Sequence, residues 1–141
     1  MNKLLLGLLF VSTSAFADFN GSFAGPGSIT AQGMNQNCED IRFSFVQKFD
    51  SLTMNGKVQC GEDSLEYDET LFQIKNNHLF VQDRDMGTIT ENAIHIKAVE
   101  TDENDETVQL IMNFDKKDGV IAFEQIEKTK TYTISIKANL K

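Results

Sequence analysis

The stretch CEDIRFSFVQKFDSLTMNGKVQC, residues 38–60, decides the fold of this chain. On either side of the polar pair Asp50 and Ser51, mostly apolar side chains recur at every second position. These positions are Ile41, Phe43, Phe45, Gln47 and Phe49 before the pair, and Leu52, Met54, Gly56, Val58 and Cys60 after it. A period of two on both sides of a short polar break predicts a β-hairpin. In this hairpin Phe49 faces Leu52, and Ile41 faces Cys60.

The same alternation continues through the rest of the chain. Runs 71–75 and 78–82 flank Asn76 and Asn77, runs 86–90 and 93–100 flank Glu91 and Asn92, and runs 106–114 and 119–128 flank DKKD at 115–118. Residues 130–141 form the most regular strand, residues 19–32 a strand bent by its glycines, and residues 61–70 a loop or a helical turn. Asparagine pairs suit the positive φ angles of tight hairpin turns. The chain therefore predicts short strands joined mainly by tight turns.

The fold class follows from this meander. About eight to ten short antiparallel strands expose two sheet edges unless they close, so we expect an all-β, up-and-down β-barrel. A β-sandwich of two packed sheets is the alternative. An outer-membrane barrel is disfavoured, because the chain has no Trp and only 2 Tyr for aromatic girdles. Several predicted strands are also shorter than the roughly 9–11 residues needed to cross a bilayer.

The first residues predict export. One cation, Lys3, precedes an apolar run that ends at Val11, and the segment closes with Ala15-Phe16-Ala17. This order describes a secretory signal peptide over residues 1–17, cleaved after Ala17. We expect a single domain over residues 18–141, located in the periplasm or secreted, with no membrane span once the signal is removed.

Export makes the two cysteines interpretable. In an oxidising compartment an even cysteine count predicts a disulfide, here between Cys38 and Cys60. The pair lies too far apart for a C-x-x-C redox motif, and neither histidine stands at zinc-ligand spacing from a cysteine. In the hairpin Cys38 lies just beyond the matched end, so a bulge or a short loop near Glu39 and Asp40 is expected to let the sulfur atoms meet.

Net charge and composition limit the classes of partner molecule that we expect. The formal net charge is −8, and loss of Lys3 with the signal peptide makes the mature chain more acidic still. Binding to nucleic acid is disfavoured because phosphate recognition needs clustered cations. We expect a monomer whose partner is either a small apolar ligand or another protein.

Catalytic and metal sites are not indicated. His78 and His95 fall at solvent-facing positions outside any nucleophile motif. Asp102, Asn104 and Glu106 alternate like calcium ligands, but Thr107 replaces the glycine of an EF-hand loop, which predicts a solvated hairpin loop instead. We therefore expect no catalytic residues, no metal and no cofactor, and a protein that is not an enzyme.

The aromatic residues either fill a small barrel or line a ligand cavity, since barrels of this size do both. If there is a cavity, the best candidates for its lining are Phe43, Phe45, Phe114, Tyr132 and Ile134.

Two resemblances accompany these patterns. Gly21-Ser22-Phe23, entering the first bent strand, is similar to the G-x-W signature of the lipocalin-like (calycin) barrels, with Phe in place of Trp. This resemblance spans residues 19–141 and implies an interior that holds one apolar small molecule at the open end of the barrel. The architecture and cysteine spacing also resemble periplasmic metalloprotease and lysozyme inhibitors, small exported barrels with one disulfide. That likeness implies that residues 18–22 insert into an enzyme cleft.

Together these features predict an exported, non-catalytic binding protein that carries a small hydrophobic ligand. The alternative is a protein-binding module such as a periplasmic hydrolase inhibitor.

Overall fold

The computed structural model describes residues 19–141, and within them every helix or strand element is a strand. The strands are β1 Gly21–Ala31, β2 Met34–Gln47, β3 Ser51–Cys60, β4 Asp63–Lys75, β5 His78–Val81, β6 Arg84–Ile89, β7 Ala93–Thr101, β8 Thr107–Lys117, β9 Val120–Lys128 and β10 Thr133–Leu140. The predicted signal peptide, residues 1–17, lies outside the described residues, as does Asp18. Residues 19–141 contain no helix with the length and apolar character that crossing a membrane requires.

The strands form a closed barrel. Each strand pairs antiparallel with the next along the chain, and β1 also pairs with β10. The closing ladder runs from Gly27 opposite Ala138 to Ala31 opposite Ile134. The predicted up-and-down barrel is confirmed, and the sandwich alternative is wrong.

The β2–β3 hairpin, formed by the stretch 38–60, has a different register from the one predicted. Gln47 faces Leu52 and Ile41 faces Val58. The turn is closed by a hydrogen bond of 2.8 Å from the Lys48 N–H to the Ser51 carbonyl oxygen. It thus lies one residue earlier than the polar pair suggested, which shifts the pairing by two positions. Phe49 leaves the strand and is 91% exposed.

Two-residue turns close other hairpins. Asn76 and Asn77 have φ angles of 50° and 64°, as their sequence predicts. Asp118 and Gly119, at 53° and 78°, make an equally tight turn, so β8 extends through the lysines of DKKD. Residues 61–70, expected as loop or helix, instead hold the β3–β4 turn and the start of β4.

The predicted disulfide and its bulge are both present. Cys38 and Cys60 are bonded, with 3.9 Å between their Cα atoms. In the β1–β2 ladder Gly25 faces Ile41 and Gly27 faces Cys38, so Glu39 and Asp40 together oppose the single residue Pro26. The extra residue is a bulge that turns Cys38 inward beside β3. Proline suits this place because it has no N–H to donate to a ladder.

Four phenylalanine rings fill the middle of the barrel. The ring of Phe43 lies 4.7 Å from that of Phe123 and 4.9 Å from that of Phe114, centroid to centroid. Phe45 packs on Phe114 at 5.2 Å. On β3, a Cβ added at Gly56 would lie 2.3 Å from the Phe43 ring, so glycine is what lets this ring lie against the wall. The interior is solid at this level.

The two ends of the barrel differ. The turns after β1, β3, β7 and β9 meet at the end that carries the Cys38–Cys60 bridge, which we call the disulfide end. Phe19 and Lys141 lie at the opposite end, the terminus end. There Phe19 is fully buried against Phe45, with 5.9 Å between ring centroids, and it closes the interior.

Candidate binding site at the disulfide end

A recess of about 230 Å³ opens at the disulfide end, and we call it the mouth recess. Its lining is Ala98 and Glu100 of β7, Val108 and Leu110 of β8, and Glu127 of β9. These residues continue the inward-facing positions of their strands, since Ala98 and Glu100 follow the buried Ile94 and Ile96 at intervals of two. In the ladders between neighbouring strands, Ala98 pairs with Leu110 and Glu100 pairs with Val108. On its other side Leu110 pairs with Glu127.

The next inward position on β9 below the lining residue Glu127 is polar and hydrogen-bonded. Gln125, one inward position below Glu127, is buried, and its Oε1 accepts a hydrogen bond from the Tyr67 hydroxyl. Among residues 19–141, every fully buried side-chain nitrogen or oxygen has a hydrogen-bond partner. A buried amide is tolerated in an apolar barrel only when it is bonded in this way. Below it lie the phenylalanine rings, so the recess ends near the middle of the barrel.

Glu127 gives the mouth recess a negative potential. Its Oε1 accepts a hydrogen bond of 2.8 Å from the Tyr132 hydroxyl. That bond raises the pKa of Tyr132, and burial and the charges of Glu127, Glu106 and Asp102 act in the same direction. Burial chiefly raises the pKa of Tyr67, the bond to Gln125 opposes this, and the Glu127 charge raises it further. One carboxylate therefore acts on both tyrosines of the chain.

The acidic loop between β7 and β8 borders this end. Its conformation is held by Asp102, whose Oδ1 accepts hydrogen bonds from the N–H groups of Asn104 at 2.9 Å and Glu106 at 2.8 Å. Asp102 belongs to the alternating set that resembles calcium ligands, and one of its carboxylate oxygens is thus already bonded to backbone N–H groups. Within residues 19–141, no group of three or more His, Cys, Asp or Glu side chains is placed to hold a metal ion.

The five predicted lining residues are divided between two levels of the barrel. Phe43, Phe45 and Phe114 belong to the buried ring cluster. Ile134 lies nearer the disulfide end, where it is half-buried and pairs with Glu127. Tyr132 bonds to Glu127 at the same end. The prediction that they line a ligand cavity stays a prediction.

Sequence reasoning did not name the residues that line the recess. The period of two contained the signal, because Ala98 and Glu100 continue the alternate positions occupied by Ile94 and Ile96. Glu100 interrupts this series of apolar inward side chains near the end of β7. A charged residue at an inward position near a strand end indicates that the barrel is open there.

The two histidines lie on the outer wall. His78 Nδ1 is 2.7 Å from a carboxylate oxygen of Asp85, and His95 Nε2 is 2.9 Å from one of Asp115. All four side chains are about half exposed.

The N-terminal residues 19–22 are bonded to β2. The Phe19 N–H donates to Gln47 Oε1 at 3.1 Å, and the Ser22 and Ser44 hydroxyl oxygens are 2.9 Å apart. These residues therefore form part of the wall in this structure.

No protein-family model, no curated protein and no solved structure matches the chain. The structure itself is a small closed antiparallel barrel.

Proposed function

We propose that the protein is an exported, non-catalytic binding protein that holds a small apolar ligand in the mouth recess, in the manner of lipocalin-like barrels. The observation that carries the proposal is the composition of the recess wall. Ala98, Val108 and Leu110 supply an apolar surface, and Glu100 and Glu127 converge on the same space. Pockets that bind small molecules combine apolar lining with a few placed polar groups.

The recess limits the chemistry of the ligand. Its volume of about 230 Å³ is below the roughly 300–1,000 Å³ of typical small-molecule pockets, so the ligand is small or projects into solvent. Glu100 and Glu127 repel a carboxylate, which disfavours a fatty acid. A neutral or cationic apolar molecule fits the wall better.

Two features support export and binding without catalysis. The Cys38–Cys60 bridge is of the kind that persists in oxidising compartments, in keeping with the signal sequence at residues 1–17. Each histidine bonds to an aspartate on the outer wall, and all four side chains are about half exposed.

The test is titration of the folded protein with neutral N-phenylnaphthylamine, whose fluorescence rises in apolar surroundings, and with an anionic naphthalenesulfonate analogue. We expect saturable binding of the neutral probe and weaker binding of the anionic one. Leu110→Trp fills the recess and is expected to abolish neutral-probe binding. Leu71→Trp adds the same bulk on the outer wall, where Leu71 is exposed, and serves as the matched control. Absence of saturable binding, or equal binding by both variants, would overturn the proposal.

A protein-binding module is the second candidate. It is favoured by a strand edge on β4 that the barrel leaves unpaired. The version in which residues 18–22 enter an enzyme cleft has less support, because Phe19 is buried and the Ser22 and Ser44 hydroxyls are within hydrogen-bonding distance.

A further inference from the structure

The barrel wall has a gap beside β4. Residues 63–73 of β4 pair with β3, but on the other side β5 pairs only with Gln73, Ile74 and Lys75. β5 has four residues, so it ends long before the disulfide end. Within residues 19–141, no strand pairs with residues 63–72 on the side away from β3. This segment is therefore a long exposed strand edge in a barrel that is closed elsewhere.

Pairing geometry identifies the backbone groups that face the gap. The two-residue turn at Gly61 and Glu62 makes Cys60 and Asp63 the hydrogen-bonded pair that closes the β3–β4 hairpin. Because antiparallel residues alternate in the side to which their backbone groups point, Leu65 points toward β3. Ser64 and Glu66 have the opposite orientation and direct their N–H and C=O groups into the gap.

Exposure agrees with an open edge. Leu65 faces Val58, an inward and buried residue, yet Leu65 itself is 45% exposed. The opposite side of the gap, β7 beyond Ile96, is partly covered, since Arg84 Nη2 donates to the Val99 carbonyl oxygen at 3.3 Å. One carbonyl on the β7 side is therefore occupied, whereas the gap-facing backbone groups of Ser64 and Glu66 on the β4 side have no strand partner.

The edge is strongly acidic. Glu62, Asp63, Glu66, Asp68 and Glu69 lie within eight consecutive positions that contain no Lys or Arg. Lys57 approaches Glu66 at 4.0 Å, with both side chains exposed, which is a weak contact. Proteins commonly protect exposed edges with lysine. Carboxylates protect equally against a second copy of this chain, because pairing two such edges would oppose like charges.

We propose that the β4 edge, residues 63–69, binds an extended basic peptide segment of a partner protein as an added strand. The backbone groups of Ser64 and Glu66 pair with the peptide main chain. Lysine or arginine side chains on one face of the peptide lie beside Glu66 and Asp68. Strand addition of this kind obtains affinity from main-chain hydrogen bonds and selectivity from alternate side chains.

The test uses a synthetic peptide of alternating Lys and Thr with blocked ends, and follows amide hydrogen exchange together with binding. In the free protein we expect fast exchange at the Ser64 and Glu66 amides, and protection of both when the peptide is bound. Ser64→Pro removes one edge N–H without removing a β3 ladder bond and is expected to weaken binding about tenfold. The same peptide with N-methyl groups on alternate amides keeps its charge and is expected not to protect these amides.

Charge is tested separately. The triple variant Glu66→Gln, Asp68→Asn and Glu69→Gln keeps the backbone edge and is expected to bind the peptide about tenfold more weakly at low salt. Its matched control removes three carboxylates from turns at the terminus end, Asp50→Asn, Glu91→Gln and Asp118→Asn, and is expected to bind like the unaltered protein.

Four outcomes would overturn the proposal. One is slow exchange at Ser64 and Glu66 in the free protein, which would mean that the edge is covered. A second is equal binding of the N-methylated peptide or by Ser64→Pro, which would indicate attraction by surface charge alone. A third is no binding of the unmodified peptide. The last is a dimer of the free protein that Ser64→Pro dissociates, which would make a second copy the occupant.

Discussion

At the residue scale, Tyr67 joins the core to the mouth recess. Its ring packs on Phe43 with 5.2 Å between centroids, and its hydroxyl donates to Gln125, a residue only 2% exposed. Removing a partner from a buried polar group costs more than the bond itself is worth, because the remaining group is neither bonded nor solvated. The Tyr67 hydroxyl should therefore matter more than its single bond suggests.

Tyr67→Phe is expected to lower the free energy of unfolding by about 1–3 kcal/mol, because it leaves the Gln125 acceptor buried and unpaired. Tyr132→Phe is the matched control. Its hydroxyl bonds to a carboxylate at the open end of the barrel, where water can replace it, so a smaller loss is expected. Urea denaturation of both variants measures the difference. Equal losses in the two variants would contradict this role of Tyr67.

The same tyrosine predicts a pH dependence. Burial raises the pKa of Tyr67 above its ordinary value of 10.0, so the folded protein keeps this proton to higher pH than the unfolded chain does. The resulting stabilisation is complete below pH 10 and is lost as pH rises through the folded pKa. Unfolding free energies measured from pH 8 upward should fall more steeply in the unaltered protein than in Tyr67→Phe above about pH 10. Parallel curves would show that Tyr67 does not titrate as described.

At the element scale, local chemistry specifies turns better than it specifies register. The asparagine pair at Asn76 and Asn77 and the glycine at Gly119 predict tight turns, and positive φ angles are found at all three. The Lys48 N–H bond to Ser51 decides the register of the first hairpin, and a shift of one residue in that turn moves the pairing by two.

The disulfide is the element-scale constraint that the sequence predicts most directly. It spans a separation of 22 residues between Cys38 and Cys60. In the chain-entropy model, a loop of that size stabilises the fold by about 3 kcal/mol. The variant Cys38→Ser with Cys60→Ser should lose about that much free energy of unfolding in urea, and reduced unaltered protein should match it. A variant as stable as the oxidised protein would contradict a structural role for the bridge.

The features that could not be predicted depend on strand lengths and distant pairings. β4 alternates Leu65 and Tyr67 with polar residues, but its first half is mostly exposed and carries four carboxylates, so it resembles a loop in sequence. The gap exists because the short β5, which is close to the predicted run 78–82, pairs only with Gln73, Ile74 and Lys75, and the sequence does not show how little of β4 it covers. The mouth recess lies on the consecutive strands β7, β8 and β9, and the placement of Ala98, Val108 and Glu127 around it depends on the registers of two hairpins that share β8.

At the scale of the whole molecule, the barrel is closed at one end and open at the other. Phe19 closes the terminus end, with Lys116 Nζ 5.7 Å from its ring centroid. The phenylalanine rings fill the middle, and the mouth recess occupies the disulfide end. The aromatic closure at Phe19 and the mouth recess thereby lie at different ends of the barrel.

Two phenylalanines test this division. Phe19→Ala removes a fully buried ring and is expected to lower the free energy of unfolding by about 3–5 kcal/mol. Phe49→Ala makes the same chemical change at a side chain that is 91% exposed, and an effect within about 0.5 kcal/mol is expected. Thermal and urea unfolding measure both. A small loss in Phe19→Ala would contradict its role in closing the barrel.

The most direct test of the proposed function is to map amide chemical-shift changes while neutral N-phenylnaphthylamine is added to the isotope-labelled protein. Binding in the mouth recess predicts the largest changes at Ala98, Leu110 and Glu127, with little change at Phe49 and Leu71 on the outer wall of the terminus end. Changes confined to Phe49 and Leu71, or no changes at saturating probe, would contradict ligand binding in the mouth recess.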